Sequence, residues 1–395
     1  IPFAGWDMPV WYHSVVEEHQ ATRNNAGLFD VTHMGVFQVE GPDSSLFLDS
    51  VCGNDIGLLA IGESCYTHFL DPKANVIDDL LVYRRSEQKY LMVVNAANEE
   101  KDWLWLTGIL DGKWIVDDDQ PWVSAFGKNV KLRNLKDPKE GNDMLVDIAL
   151  QGPRSRDILM KLGPATELDR FNIMKLKRTE LCEASVGCYD LVVSRTGYTG
   201  EPMCFELFVH PDQAVQFWND LLAAGESYGI KPCGLGARDS LRTEAGLPLY
   251  GHEMGGEDNL GVGDAGFQHY VKIYKPWFIG RKAFIEQEKS RTKEIIRFRH
   301  SEKGVRMAHH GDPVLDKRGK VIGFVTSCAI DSEEFLTGQA YIDVKSSEEG
   351  TQIYILHGGG AGTVKTPGAL KSGDRYPLPS PAVVVSRFPK LIKSK

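Results

Sequence analysis

The sequence reads as an α+β protein that ends in an all-β module, and three features lead there. From Cys65 to Asn95, the apolar runs CYTHFL, VIDDLLVYRR and KYLMVVN are joined by the short polar links DPKAN and SEQ. Links this short favour antiparallel pairing, so the stretch is a β-meander. Downstream, segments with apolar residues three and four apart alternate with strand-like runs, which is helical spacing mixed with sheet. Beyond about residue 290 short strands alternate with Gly, Asp and Pro turns, the texture of a C-terminal β-module.

The elements follow in order. The opening IPFAGWDMPVWY lacks the charged and apolar regions of a signal peptide, so either the start is native or a segment upstream has been removed. After the meander, AANEEKDWLWLTGIL has helical spacing, and residues 111–144, rich in Gly, Asp, Pro and Lys, read as a loop-rich insertion around short strands. LVDIALQGPRSRDILMKLG reads as strand, Gly-Pro turn and helix, and YDLVVSRTGYTGEPMCFELFVH as a hairpin. Helices follow at AVQFWNDLLAAGESYG, GARDSLRTEAG and RKAFIEQEKSR, and QHYVKIYK reads as a strand. The boundary is expected near 290, with a mixed region over 1–290 and the β-module over 291–395.

A chain of 395 residues suits two or three cores, and its 42% hydrophobic and 25% charged composition is that of an ordinary globular protein. A net charge of −9 without a long basic run argues against a general nucleic-acid binder. No apolar stretch approaches the roughly 20 residues of a spanning helix, so no membrane role is expected. The seven cysteines are odd in number and never spaced as CxxC, which suggests a reducing compartment without a structural zinc or disulfide framework.

Three places carry chemistry. In NVIDDLLVY, a strand would send Val76, Asp78, Leu80 and Val82 to one face and Ile77, Asp79, Leu81 and Tyr83 to the other. Each face then receives one acid, and a buried carboxylate must be hydrogen-bonded, paired or protonated. Glu206 is a second lone acid, among Met203, Phe205, Leu207 and Phe208. It either faces solvent from an edge strand or accepts two parallel hydrogen bonds from an amidine-like edge such as that of a pterin. Arg238 and Arg242 lie four apart on one helical face, either as a solvated, ion-paired helix or as a donor fork for a carboxylate or polar heterocycle.

Other motifs have plainer readings. GVGDAG at 261–266 matches GxGxxG but lacks the strand before it and helix after it that a dinucleotide site needs. HGGGAG at 357–362 lacks the GK[ST] of a phosphate loop and reads as a turn, and His309 and His310 read as surface histidines with no second ligand at metal spacing.

Taken in series, FAGWDMPVWY, AGLFDVTHMG, NVIDDLLVY, VVNAANEEKD, ALQGP, SRTGYTGE, GLGARDSLRTEAGLPLYGHEM, FIGRKAF and GFVTS resemble the aminomethyltransferase family of the glycine cleavage system, the T-proteins and their folate-dependent relatives. The resemblance spans nearly the whole chain, and NVIDDL, TGYTGE and GARDSLRTEAG are its most specific parts. It implies two interwoven α+β domains built largely on antiparallel sheets, followed by a β-barrel. It also implies that Asp79 is the catalytic carboxylate beside tetrahydrofolate, that Glu206 and Arg238 contact the folate, and that Met34, Tyr83, Asn95 and Tyr198 line its pocket.

The reaction implied moves an aminomethyl carbon from the lipoyl arm of the H-protein to tetrahydrofolate and releases ammonia, in the cytoplasm or, if a transit peptide preceded Ile1, in the mitochondrial matrix. A fixed carboxylate suits both the developing cation and the proton transfer. The alternatives are a tetrahydrofolate-dependent demethylase of an O-, N- or S-methylated small molecule and a non-catalytic folate-binding or assembly protein. The chain departs from the family's pattern in THM for SHM, in His269 where a Trp is common, in VTSCAIDSEEF, in the added GAGTVKTPGALKSGDRYPLP and in lacking the closing aromatic pair. An acidic chain also needs a local basic patch for an acidic partner, and Arg281, Lys282, Lys289, Arg291 and Lys293 are the candidates, with a solvated helix face as the plainer reading.

Overall fold

The strand that carries the paired acids, Val76–Ser86, alternates as its sequence requires: Val76, Asp78, Leu80 and Val82 are buried, while Ile77, Asp79 and Leu81 are half-buried. In the computed structural model it is the second strand of a 5-stranded antiparallel sheet, ordered Ser64–Leu70, Val76–Ser86, Lys89–Val94, Gly35–Glu40, Lys131–Asn134. Its even-numbered face packs with Phe37, Val39, Leu80, Val82, Met92 and Val94 against Leu106 and Ile109 of the helix Glu99–Leu110 and Phe47 and Leu48 of the helix Ser44–Val51. Residues 1–358, 371–372 and 378–389 are the ones described.

A second, 6-stranded sheet is ordered Leu181–Val186, Tyr189–Ser194, Cys204–Val209, Val146–Gln151, Ala26–Asp30, Ile230–Cys233. Its pairings are antiparallel except the last, where Ile230–Cys233 runs parallel to Ala26–Asp30. Ala26–Asp30 enters this sheet before the whole 5-stranded sheet has been made, and the remaining strands are added after it, so the two sheets are interwoven in the chain. Their facing sides share one apolar cluster: Val36, Tyr83, Leu91 and Val93 from one sheet pack with Leu181, Val192 and Phe208 from the other.

Contacts divide the chain into two compact units. The first, with both sheets, comprises Ile1–Arg238 and His269–Gln287. The second comprises Asp239–Gln268 and the described residues from Glu288 on. Within the second, Lys293–His300, Leu336–Asp343, Val321–Ile330, Pro313–Leu315, Gln352–Ile355 and Ser380–Val385 form a closed barrel around Phe298, Val325, Ala340, Ile342, Ile353 and Val384. Closure comes from Arg297–His300 pairing back on Ala382–Val385. The fold class expected from the sequence, α+β with antiparallel sheets and a terminal β-barrel, is the fold observed.

Some local expectations differ. QHYVKIYK forms a single 3₁₀ turn, Gln268–Tyr270, and then turns. The apolar spacing there serves a tether instead of a ladder: Lys275 Nζ donates to the carbonyls of Asp49, Cys52 and Asn54, and Lys272 N to that of Gly53. GVGDAG is a run of turns, without the strand and helix a dinucleotide site needs. Of HGGGAG only His357 and Gly358 lie among the described residues, and most of the GAGTVKTPGALKSGDRYPLP stretch lies outside them.

Phe208, fully buried and edge-on to Tyr83 at 5.7 Å, ties the two sheets together. Phe208→Ala should cost about 3–5 kcal/mol of unfolding free energy, the range for truncating a buried aromatic. Urea unfolding followed by tryptophan fluorescence measures it.

Candidate active site

The two acids of NVIDDL differ in surroundings as the pleat dictates. Asp78, 0% exposed, accepts from the backbone N of Asn95 (3.0 Å), from Asn95 Nδ2 (2.9 Å) and from Asn98 Nδ2. Asp79, on the other face, accepts from Tyr66 Oη at 2.6 Å and from Asn95 Nδ2 at 2.9 Å. Asn95 therefore clamps both carboxylates, and its side-chain carbonyl is the group it has left for a ligand. Because Tyr66 and Asn95 hold separate oxygens, the Asp79 carboxyl has a fixed orientation.

Burial, and after it the neighbouring charge of Asp78, raises Asp79 to about 7. Asp78 is raised as well, by burial, against the pull of its hydrogen bonds. Next to Asp79 stands an aromatic group of which the sequence reading singled out only His269. The Tyr66 ring meets His68 edge-on at 4.9 Å and Tyr270 at 5.0 Å, and Tyr270 lies tilted against His269 at 4.1 Å. His68, paired across the sheet with Asp79 and wholly buried, is lowered to about 3 by burial and so stays neutral. Tyr66 was legible only as a strand residue, since its role depends on a partner on the next strand.

The second group sits on the other sheet. Cys204–Val209 is an internal strand, not an edge, and Glu206 is only 7% exposed, so the solvent-facing reading of Glu206 fails. Tyr83 Oη (2.8 Å) and Thr196 Oγ1 both donate to Glu206 Oε2. Among the described residues Oε1 accepts from none. Tyr83 itself is fully buried between the sheets, and its hydroxyl meets Thr196 Oγ1 at 3.3 Å as well as Glu206. Arg238 lies over the Tyr198 ring, 4.8 Å from its centroid, and its guanidinium has no hydrogen-bonding or ion-pair partner among the described residues. Asp147, buried with Oδ1 unpartnered, is held well above the usual carboxylate range by burial and then by Glu206.

Local sequence explains the placement. The loop TGYTG is pinned because Arg23 Nη1 donates to the Thr199 carbonyl (2.7 Å) and pairs with Glu201 (2.8 Å). Thr199 Oγ1 in turn donates to Gln151. A Cβ at Gly197 would fall 2.1 Å from Gln151 Oε1, so a side chain there would displace the Gln151 amide that anchors Thr199. Met34 is half-buried against the inter-sheet cluster. Its neighbour His33 is buried and lowered to about 3 by burial, then by Arg238 and Lys136.

With this geometry in view, the comparisons are decisive. Residues 1–275 match the GCVT N-terminal domain family. An aminomethyltransferase of Thermoanaerobacter pseudethanolicus is 38% identical over 358 residues, covering 90% of this chain and 89% of that protein. The chain belongs to the aminomethyltransferase family. A second aminomethyltransferase, from Caldanaerobacter subterraneus subsp. tengcongensis, is 39% identical over 90% of this chain and 87% of its own length. In fold, this family member matches the crystal structure of glycine cleavage system aminomethyltransferase T from Bartonella henselae, with a TM-score of 0.78 and 29% identity over 100% of this chain and 95% of that one.

The aminomethyltransferase chain departs from its sequence reading at two surface features. Arg242 is not part of a solvated helix face: it is 1% exposed and bonded to Asp239, Glu253 and Ser327. The expected basic patch is largely matched by acids and carbonyls. Lys282 pairs with Asp119, Arg291 with Glu288 and Glu294, Lys293 stands 4.0 Å from Asp343, and Arg281 donates to the Ile273 carbonyl. His309 and His310 are exposed, and among the described residues no cluster of His, Cys, Asp or Glu could hold a metal ion.

The raised Asp79 has a pH signature with a definite sign. Folding tightens its hold on the proton, so its contribution to stability is present below the unfolded carboxylate range and is lost as pH rises through about 7. Relative to the parent, the Tm of Asp79→Asn should therefore shift in the variant's favour as pH climbs from about 4 to about 8. Calorimetry at several pH values checks it, and a difference that stays flat with pH would place the Asp79 pKa in the ordinary range.

Proposed function

We propose that the site takes tetrahydrofolate as acceptor and the aminomethyl group of a lipoylated H-protein as donor, with Asp79 as the catalytic carboxylate. Asp79 carries the reading: it is a carboxyl with both oxygens oriented by protein donors and a proton affinity set near neutrality, in a member of this family.

The residues present fit a folate on two counts. Glu206 keeps one carboxylate oxygen for an N–H donor such as a pterin edge offers, and Arg238 keeps its planar fork for an acceptor while its flat side rests on Tyr198. Met34, Tyr198 and the Asn95 carbonyl would complete the lining, with Tyr83 acting on the ligand through Glu206. Tetrahydrofolate, when bound, supplies the two nucleophilic nitrogens that receive the one-carbon unit, one in its reduced pterin ring and one in the adjoining arylamine.

Asp79 does two things in this scheme. Its carboxylate balances the positive charge that develops on the aminomethyl carbon as the donor's C–S bond breaks, and it receives the proton given up by the attacking amine. Tyr66 and Asn95 hold the carboxylate in one orientation before reaction, so no reorganisation is needed at that moment. Glu206 and Arg238 act in binding only.

The assay is formation of ammonia and methylenetetrahydrofolate from aminomethylated H-protein; methyltetrahydrofolate from a methylated small molecule instead would overturn the donor assignment. Asp79→Asn should lower kcat by about 10²–10⁴-fold, the usual share of a general base, with folate affinity nearly unchanged. The parent's kcat/KM should rise with pH through about 7 as Asp79 ionises. Glu206→Gln should weaken folate binding by about 1.5–3 kcal/mol, because an amide keeps one acceptor and sets an N–H against the other donors. Isothermal calorimetry with tetrahydrofolate reads the loss, and an unchanged affinity would remove Glu206 from the pocket.

A further inference from the structure

Behind the catalytic pair lies a third acid that the scheme above leaves idle. Asp102 sits in the first turn of the helix Glu99–Leu110 and is 0% exposed. Neither of its oxygens meets an N–H or O–H donor among the described residues. Its carboxyl lies within reach of a hydrogen bond to the carboxyl of Asp78. Two carboxyls can share such a bond only if one of them carries the proton.

The surroundings decide which one. Asp78 accepts from three amide donors, the backbone N and Nδ2 of Asn95 and Nδ2 of Asn98, and donors of that kind stabilise the ionised form. Asp102 has none among the described residues, and Lys101 of its own helix, a cation bearing on it, is exposed to solvent. The other groups facing the cluster do not alter the outcome. From the acid strand come Asp78 and Asp79, both disfavouring a further charge. From the neighbouring strand come the Tyr66 hydroxyl, which donates to Asp79, and His68, which is neutral. Burial, followed by the charge of Asp78, pushes Asp102 up to about 11, in keeping with this assignment.

We propose that Asp102 is a positioning residue that stays protonated at neutral pH and donates to Asp78, so that Asp78 carries the fixed charge, Asn95 is held between Asp78 and Asp79, and Asp79 is the member left to exchange a proton. The chain of contacts runs in one direction. Asp102 anchors Asp78, Asp78 anchors the Asn95 amide, and that amide orients the Asp79 oxygen opposite Tyr66. Asp102 touches neither substrate nor reacting atoms, and its effect on turnover passes entirely through these bonds. This inference rests on the assignment of Asp79 as the catalytic carboxylate only for its effect on turnover.

Infrared difference spectroscopy of the ligand-free protein at about pH 9, where Asp79 is ionised in both proteins, tests the protonation directly. Subtracting Asp102→Asn from the parent should leave a carboxylic-acid carbonyl band; the band of Asp147 is common to both proteins and cancels. No acid band in the difference would overturn the proposal, whatever the donor of the reaction proves to be. Kinetics test the positioning. Asp102→Leu removes the donor to Asp78 and should lower kcat by about tenfold or more with KM little changed, as loss of a general base's alignment does. Asp102→Asn, an isostere of the protonated acid that still offers an N–H, should restore most of that loss with the acid limb of kcat/KM in place. An acid limb moved down by about a unit or more in Asp102→Asn would mean that a charge had been removed, and would overturn the proposal. If Asp102→Leu does not fold, the infrared band and the Asp102→Asn limb decide the question.

Discussion

The arrangement on which everything else in the site depends is a pair of adjacent aspartates in the middle of a sheet. Two neighbouring residues of a strand must point to opposite faces, so Asp78 and Asp79 cannot both reach solvent, and neither can be left as a bare charge. The protein meets this with donors placed from several elements. Asn95 and Asn98, at the start of the helical segment that follows the third strand of the meander, supply Asp78, and Tyr66 on the adjoining strand supplies Asp79. Each donor that settles one acid also restricts the other, because the Asn95 amide is shared between them. The fixed orientation of the Asp79 carboxyl is therefore a consequence of satisfying buried charge.

The second constraint is the interweaving of the two sheets. The odd-numbered face of the acid strand looks toward the sheet that bears Glu206, and Tyr83, four residues beyond Asp79, crosses that space to donate to Glu206. A buried tyrosine thus links the acid strand to the strand of Glu206 through one hydroxyl. The strand Ala26–Asp30 enters the second sheet before the first is complete, so the two sheets cannot form as separate halves of the chain.

The comparisons and the geometry carry different weight. Identity near 38% over 90% of the chain establishes the family and the transferase fold. It says little about individual side chains at the positions where this sequence departs from the family's pattern. His269, for instance, lies in a 3₁₀ turn with its ring tilted against Tyr270, which in turn meets the Tyr66 that holds Asp79. That contact ties His269 to the Asp79 carboxylate through two aromatic rings.

Much was legible in the sequence for simple physical reasons. Period-two alternation in NVIDDLLVY assigned opposite faces to Asp78 and Asp79, short polar links made the meander antiparallel, and the change of texture near 290 marked the β-module that closes as a barrel. The matching motifs identified the family, since their order along the chain is more specific than any one of them. What only the tertiary structure decided is which residues act on one another across elements. Glu206 is buried because its strand is internal to the sheet, and strand order is set by long-range pairing that no local pattern encodes. Arg242 is buried by Glu253 and Ser327, the second of them 85 residues away in sequence. Tyr66 and Asp102 read as an ordinary strand residue and an ordinary helix residue, and their roles come from carboxylates 13 and 24 residues away that the fold brings within hydrogen-bonding reach. Local propensity and alternation are properties of short stretches, whereas charge burial and proton sharing depend on neighbours in space, and those are fixed only when the sheets pack.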